Sequence, residues 1–322
     1  YMILVKWMVL NPVEKLSQFT TDIIKSGNFE KRKIELKTGD EIEGLGQSFN
    51  FMIERLEDYI ANLTVVTAEK ERIGAELNVA THIQSSMLPC IFPAFPDRNE
   101  LDIYATMTPA KEVGGDFYDF FMVDERHIAI VMADVSGKGV PAALFMVIGK
   151  TLIKDHTQPG RDLGEVFTEV NNILCESNDN GMFITAFEGV LDLVTGEFRY
   201  VNAGHEKPFI YRKNGEYEAY ETAAGFVLAG LEDIVYQEQK IKLSIGDKIF
   251  QYTDGVTEAV NKDKKLYGMD RLRQALNEKC SGCSPEETLR LVKEDIDAFV
   301  GDHDQFDDIT MLCLEYTGKM GE

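Results

Sequence analysis

Apolar residues along this chain follow two spacings, and the change between them falls near residue 90. Before that point the spacing is helical. Pro12 stands where a helix opens, Val13, Leu16, Phe19 and Ile23 share one face, and Gly27-Asn28 predicts the stop. Residues 29–39 are charged and irregular, with Phe29, Ile34 and Leu36 as apolar anchors. Gly39-Asp40-Glu41 opens a second helix, its acids in the first turn where the macrodipole favours them. From Ile42, steps of three and four run through Leu45, Phe49, Met52 and Leu56 and on to Met87, ahead of the Pro89 stop. An unshifted heptad register of that length predicts a coiled coil, most simply a parallel dimer. Lys70 and Gln84 are its polar seam positions; Lys70 is expected to carry its ammonium out to water on a flexible stem.

After the Pro/Phe-containing stretch 90–99, strand patterns take over. Ile103–Met107, Phe117–Val123 and His127–Ala133 read as strands. A mostly apolar helix from Pro141 to Ile153 and a second over Leu163–Ser177 follow. Strands resume at Phe183–Leu191 and Phe198–Ala203. Asn214-Gly215 predicts a hairpin between Phe209–Tyr211 and Tyr217–Tyr220. Glu238–Leu243 and Lys248–Tyr252 are two more strands, Met269–Lys279 and Pro285–Val300 two more helices, and Ile309–Tyr316 a closing strand. Hairpins with two separated helix pairs predict an α+β layered sandwich, αββα, with the sheets inside.

Length, at 322 residues, is consistent with about two domains. The net charge of −22 argues against a nucleic-acid partner. Five scattered cysteines suit a reducing compartment, and Cys280-Ser281-Gly282-Cys283 is a lone pair without further metal ligands. Residues 1–10, apolar but too short to span a bilayer, carry Trp7 and Lys6 as at a membrane–water boundary. They are expected to be the cytoplasmic end of a transmembrane helix.

Candidate chemistry lies in four acidic marks beside glycines or strand ends: Gly114-Gly115-Asp116, Asp134-Val135-Ser136-Gly137-Lys138-Gly139, Thr253-Asp254-Gly255 and Asp307-Asp308. Converging carboxylates need cations to stay ionised together. Oxygen ligands select magnesium or manganese. Two such ions deprotonate a bridging water and clamp a phosphoryl group for in-line attack, with no covalent nucleophile. Lys138 is expected to face solvent near the helix start.

Two resemblances sharpen this. The helix, the connector with Phe29, Asp40-Glu41-Ile42 and Phe49-Asn50-Phe51-Met52 resemble a HAMP domain, a dimeric four-helix module that passes signals from membrane receptors to cytoplasmic outputs. Residues 101–317 resemble the metal-dependent PPM (protein phosphatase 2C-like) family, its bacterial RsbU/SpoIIE group. The matching segments are Gly114–Asp119, Asp134–Gly139, Asn202-Ala203-Gly204-His205, Thr253–Gly255 and Asp307–Thr310. The expected layout is 1–10 a membrane helix end, 11–61 HAMP, 62–90 a coiled-coil signalling linker and 101–317 the phosphatase.

The PPM resemblance implies two Mn²⁺ or Mg²⁺ ions. Asp134 bridges them, Asp116 and the Val135 carbonyl serve one, and Asp254 and Asp307 serve the other. Asp308 stands where the family often has asparagine and is placed behind the ligands. The phosphate-binding arginine of eukaryotic members has no clear counterpart; Lys111 lies near its place, and His205 is a candidate proton donor to the leaving serine. The implied function is a membrane-tethered phosphoserine/phosphothreonine phosphatase acting on a small regulatory protein, an anti-sigma-factor antagonist. The competing readings are a catalytically silent partner-binding module of the same fold, and a nucleotide cyclase, for which no purine pocket is marked.

Overall fold

The computed structural model describes residues 2–26, 33–176, 178–212, 215–223 and 225–318. The helix stop at Gly27-Asn28, the anchor Phe29, the helix end at Ser177 and the turn residue Asn214 lie outside them. The chain forms two compact units, Tyr1–Glu76 and Leu77–Glu322.

In the first unit a short helix α1 (Met2–Val5), a π-helical turn (Lys6–Leu10) and α2 (Asn11–Ser26) precede the connector. Then α3 (Glu41–Met87) begins. Asp40 caps it, accepting from Ile42 N (3.0 Å), while Glu43 reaches back to Gly39 N (2.9 Å). Asn50 ties the connector to α3: its Oδ1 accepts from Ile34 N and its Nδ2 donates to Ile34 O, both at 2.8 Å. Ile23, Ile34, Leu36 and Ile53 are buried, and Phe19 meets Phe49 edge-on. The seam residues Leu45, Met52, Leu56, Leu63, Val66 and Ile73 are exposed on the single chain. Among the described residues, no helix is long and apolar enough to cross a membrane.

The second unit is a sandwich of two five-stranded antiparallel sheets. One runs β1 (Leu101–Thr108), β10 (Ile309–Tyr316), β9 (Lys248–Tyr252), β6 (Phe209–Tyr211), β7 (Tyr217–Ala219). The other runs β2 (Phe117–Met122), β3 (His127–Val135), β4 (Ile184–Asp192), β5 (Glu197–Ala203), β8 (Gln239–Lys242). Helices α4 (Val140–His156) and α5 (Leu163–Glu176) cover the β2–β8 sheet. Helices α7 (Gly268–Lys279) and α8 (Pro285–Val300) cover the other. One apolar core, with Phe117, Ile130, Phe187 and Leu312, joins the facing sheets to α4 and α5; a second, with Tyr252, Leu272 and Ile296, fills the space under α7 and α8. The strands match the sequence pattern to within a residue or two; β3, β4 and β10, buried along almost their whole length, read as continuous apolar runs. The short helix α6 (Asp254–Thr257) directly after β9 has no periodic signal and was legible only as a turn.

The end of α3 departs from the seam reading. From Leu77 onward it belongs to the second unit. Gln84 is buried, donating through Nε2 to Gly114 O (2.6 Å) and accepting through Oε1 from Gly114 N (3.1 Å). Thr81 Oγ1 donates to Glu112 O (2.5 Å), and Leu88 enters the main core. A heptad count gives the spacing of a face but not its partner, and here the partner of Gln84 is a loop of the same chain.

Candidate functional site

The four acidic marks meet at one end of the sandwich. Asp116 immediately precedes β2, and Asp134 lies near the end of β3, opposite Thr185 of β4. Asp254 opens α6 just past β9, and Asp307 and Asp308 lead into β10, which pairs with β9. Each sheet therefore contributes part of the set.

Asp116 joins the two sheets. It is buried, and its Oδ2 accepts from Thr253 Oγ1 (2.7 Å) and Thr310 Oγ1 (2.5 Å), both from the opposite sheet. Asp308 is a backbone anchor: Oδ1 accepts from Ala110 N (2.8 Å) and Oδ2 from Gly115 N (2.9 Å). That fixes the loop 109–115 in front of β2. Gly115 packs so tightly that an added Cβ would lie 2.7 Å from the Val135 carbonyl oxygen. Gly137 and Gly139 hold φ of 89° and 80°, a conformation that side chains disfavour, and so carry the turn from β3 into α4.

Burial, then mutual repulsion, raises the carboxyl pKa values. Burial and then Asp134 push Asp116 well above the usual range. Burial, then Asp254, lifts Asp134 to about 7; burial, then Asp307, lifts Asp254 to about 6. Carboxylates that repel one another in this way are stabilised by bound cations. An all-oxygen donor set of Asp116, Asp134, Val135 O, Asp254 and Asp307 fits hard divalent ions such as Mg²⁺ or Mn²⁺. The side chains are not gathered into a finished cage, however. Among the described residues, no group of three or more His, Cys, Asp or Glu side chains is drawn together tightly enough to hold an ion.

The structure specifies the surroundings of His205 and Lys138. His205 is buried, its Nδ1 lies 3.0 Å from Thr185 Oγ1, and burial lowers its pKa to about 4. Asn202 fixes its backbone, accepting from His205 N (2.8 Å) and donating to His205 O (3.0 Å). Burial disfavours the imidazolium, the stronger acid for a leaving serine, and Thr185, which the ring meets, pairs with Asp134 across β3 and β4. Lys138 is exposed, as expected, but its ammonium is engaged. Its ammonium lies 2.8 Å from Asp307 Oδ2, donates to Phe306 O (2.7 Å) and sits 3.9 Å from the centre of the Phe306 ring. Lys111 is exposed on the loop that Asp308 anchors.

Sequence comparisons agree with this geometry. The profile of the family "Stage II sporulation protein E (SpoIIE)" matches residues 124–317, and that of the HAMP domain matches residues 4–58. The chain is 30% identical to phosphoserine phosphatase RsbU of Bacillus subtilis (strain 168), over 84% of this chain and 80% of RsbU. It is 31% identical to protein IcfG of Synechocystis sp. (strain ATCC 27184 / PCC 6803 / Kazusa), over 96% of this chain but only 52% of IcfG; the chain thus spans about half that relative's length. Among solved structures, the SiaA-PP2C domain of Pseudomonas aeruginosa superposes with a TM-score of 0.67 at 21% identity, covering 77% of this chain and 99% of that domain, a likeness of fold. With its acidic site at the end of a PP2C-like sandwich, the chain belongs to the SpoIIE family of phosphatases and carries a HAMP domain ahead of the catalytic unit.

Proposed function

We propose that this chain is a metal-dependent protein phosphatase that removes phosphate from serine or threonine of a small regulatory protein, of the anti-sigma-factor antagonist type. The observation that carries the reading is the convergence of Asp116, Asp134, Asp254 and Asp307 from two sheets, with the pKa values of the first three raised by burial and by one another. Asp134, centrally placed, would bridge two ions. Asp116 and the Val135 carbonyl would hold one, and Asp254 and Asp307 the other. When bound, the ions would supply charge neutralisation and an activated water for in-line attack on phosphorus. The protein keeps Asp116 oriented through Thr253 and Thr310. Lys111, on the anchored loop, is the candidate to meet substrate phosphate as a point charge. The name of RsbU, phosphoserine phosphatase, supports the substrate class.

The regulatory half of the proposal places the chain at the cytoplasmic face of a membrane, attached through residues 1–10. It is a homodimer through the HAMP unit and the exposed seam of α3. Signals reach the catalytic unit through the end of α3, where Gln84 grips Gly114.

The test is hydrolysis of p-nitrophenyl phosphate and of a phosphoserine peptide after chelation, with Mn²⁺ or Mg²⁺ added back. Expected is release that requires the added ion and falls by at least about 10²-fold in Asp254→Ala. A folded chain with no ion-dependent release on either substrate is instead a silent partner-binding module.

A further inference from the structure

Asp307 is held by two separate sets of contacts. Its backbone is fixed without any help from Lys138: Gln305 Nε2 donates both to Asp307 O and to Thr108 O, each at 2.8 Å. Its Oδ1 accepts from Asp308 N at 2.9 Å. Its Oδ2, the oxygen left to face a ligand, is taken by the Lys138 ammonium. That ammonium is further steadied by the Phe306 carbonyl and ring. The two left-handed glycines on either side of Lys138 set the turn from which it reaches across to the loop before β10.

Lys138 therefore satisfies the acidic cleft with a cation of the protein's own, at a carboxylate expected to hold a metal. An ammonium and a divalent ion on one carboxylate repel each other. The lysine stem is flexible, and at 30% exposure the side chain has a route to water, so it can leave without unfolding anything. We propose that Lys138 is an internal counter-ion that occupies Asp307 until a divalent cation displaces it, and so weakens and tunes metal binding at the Asp254/Asp307 half of the site. Lys138 acts here as a positioning residue. The proposal rests on the metal-dependent reading above.

Calorimetric titration of Mn²⁺ into the metal-stripped full chain tests it. Lys138→Met is expected to bind Mn²⁺ about three- to tenfold more tightly, the scale of losing one competing ion pair. Its metal-free form should also melt lower, because the clustered aspartates lose a counter-charge. Lys138→Gln, which still donates to the Phe306 carbonyl, must show the same shift in affinity. Lys240→Met, on the β8 edge, controls for net charge and should leave the affinity unchanged. Adding Lys138→Met to Asp307→Asn should give no further gain. Unchanged or weaker Mn²⁺ binding in the Lys138 variants, or an equal gain in Lys240→Met, overturns the counter-ion role while the phosphatase reading stands. No Mn²⁺ uptake by the unaltered chain removes the metal reading and this proposal with it.

Discussion

At the scale of single residues, Glu188 shows how much burial decides. It lies on β4 beneath α4, with Oε1 accepting from Thr157 Oγ1 (2.7 Å) and Oε2 buried without a hydrogen-bond partner. Burial raises its pKa from the ordinary 4.5 to about 8. Between those values the folded chain keeps a proton that the unfolded chain has released, so stability falls as pH rises. The contribution is complete below about 4.5 and lost above about 8. Glu188→Gln should remove that slope and raise the melting temperature at pH 8 relative to the unaltered chain, with little difference at pH 4.5. Paired thermal melts across this range check it; parallel curves would show that Glu188 does not titrate on folding. In the sequence Glu188 was one polar residue in an apolar run, and nothing marked it as a buried acid. The contacts of Lys138 were hidden for a different reason. The loop it contacts begins 168 residues downstream at Phe306, and no local pattern reports a partner at that distance. The aspartates were legible because glycine or a strand end beside each one marks a close approach of backbone.

At the scale of elements, the last turns of α3 carry the argument. Gln84 pairs with both backbone groups of Gly114, and the next residue, Gly115, donates to Asp308 beside the site. Helix, loop and carboxylate are thus in direct hydrogen-bonded series. Gln84→Ala leaves a buried N–H and carbonyl unpaired. It is expected to cost about 1–3 kcal/mol in chemical denaturation of the catalytic unit. Amide exchange across residues 109–115 should also quicken. Unchanged exchange there would mean that the helix end and the loop are not coupled. Most elements were legible from periodicity alone, since strands buried on both faces read as apolar runs and α2 shows a clear single face. What periodicity lacked was allegiance: it carried one heptad count from Ile42 to Met87, whereas the chain hands the helix from one unit to the other near Glu76.

At the scale of the whole molecule, aspartates far apart in an acidic chain are brought together in one cleft. With Asp134 lifted to about 7 and Asp254 to about 6, both above their ordinary value, the metal-free chain is expected to lose stability as pH rises through 6–7. On the metal-dependent reading proposed above, added Mn²⁺ should restore it, because an ion held only by the folded site stabilises the folded state. Melting temperature against pH, with chelator and with Mn²⁺, checks this. A gain on adding Mn²⁺ that is larger at pH 7.5 than at pH 5.5 is the expected result, and an equal gain at both would refute it. The Glu188 slope is insensitive to Mn²⁺, so the two effects separate in one experiment.

The two hydrogen bonds that Thr253 and Thr310 donate to Asp116 make that carboxylate a rivet between layers. An Asp116→Ala enzyme would be blunted and loosened together, and its silence would say little about chemistry. Substrate-trapping decoys for this chain are better built at Asp254, which opens the short helix α6 and accepts no such pair of hydroxyl bonds from across the sandwich.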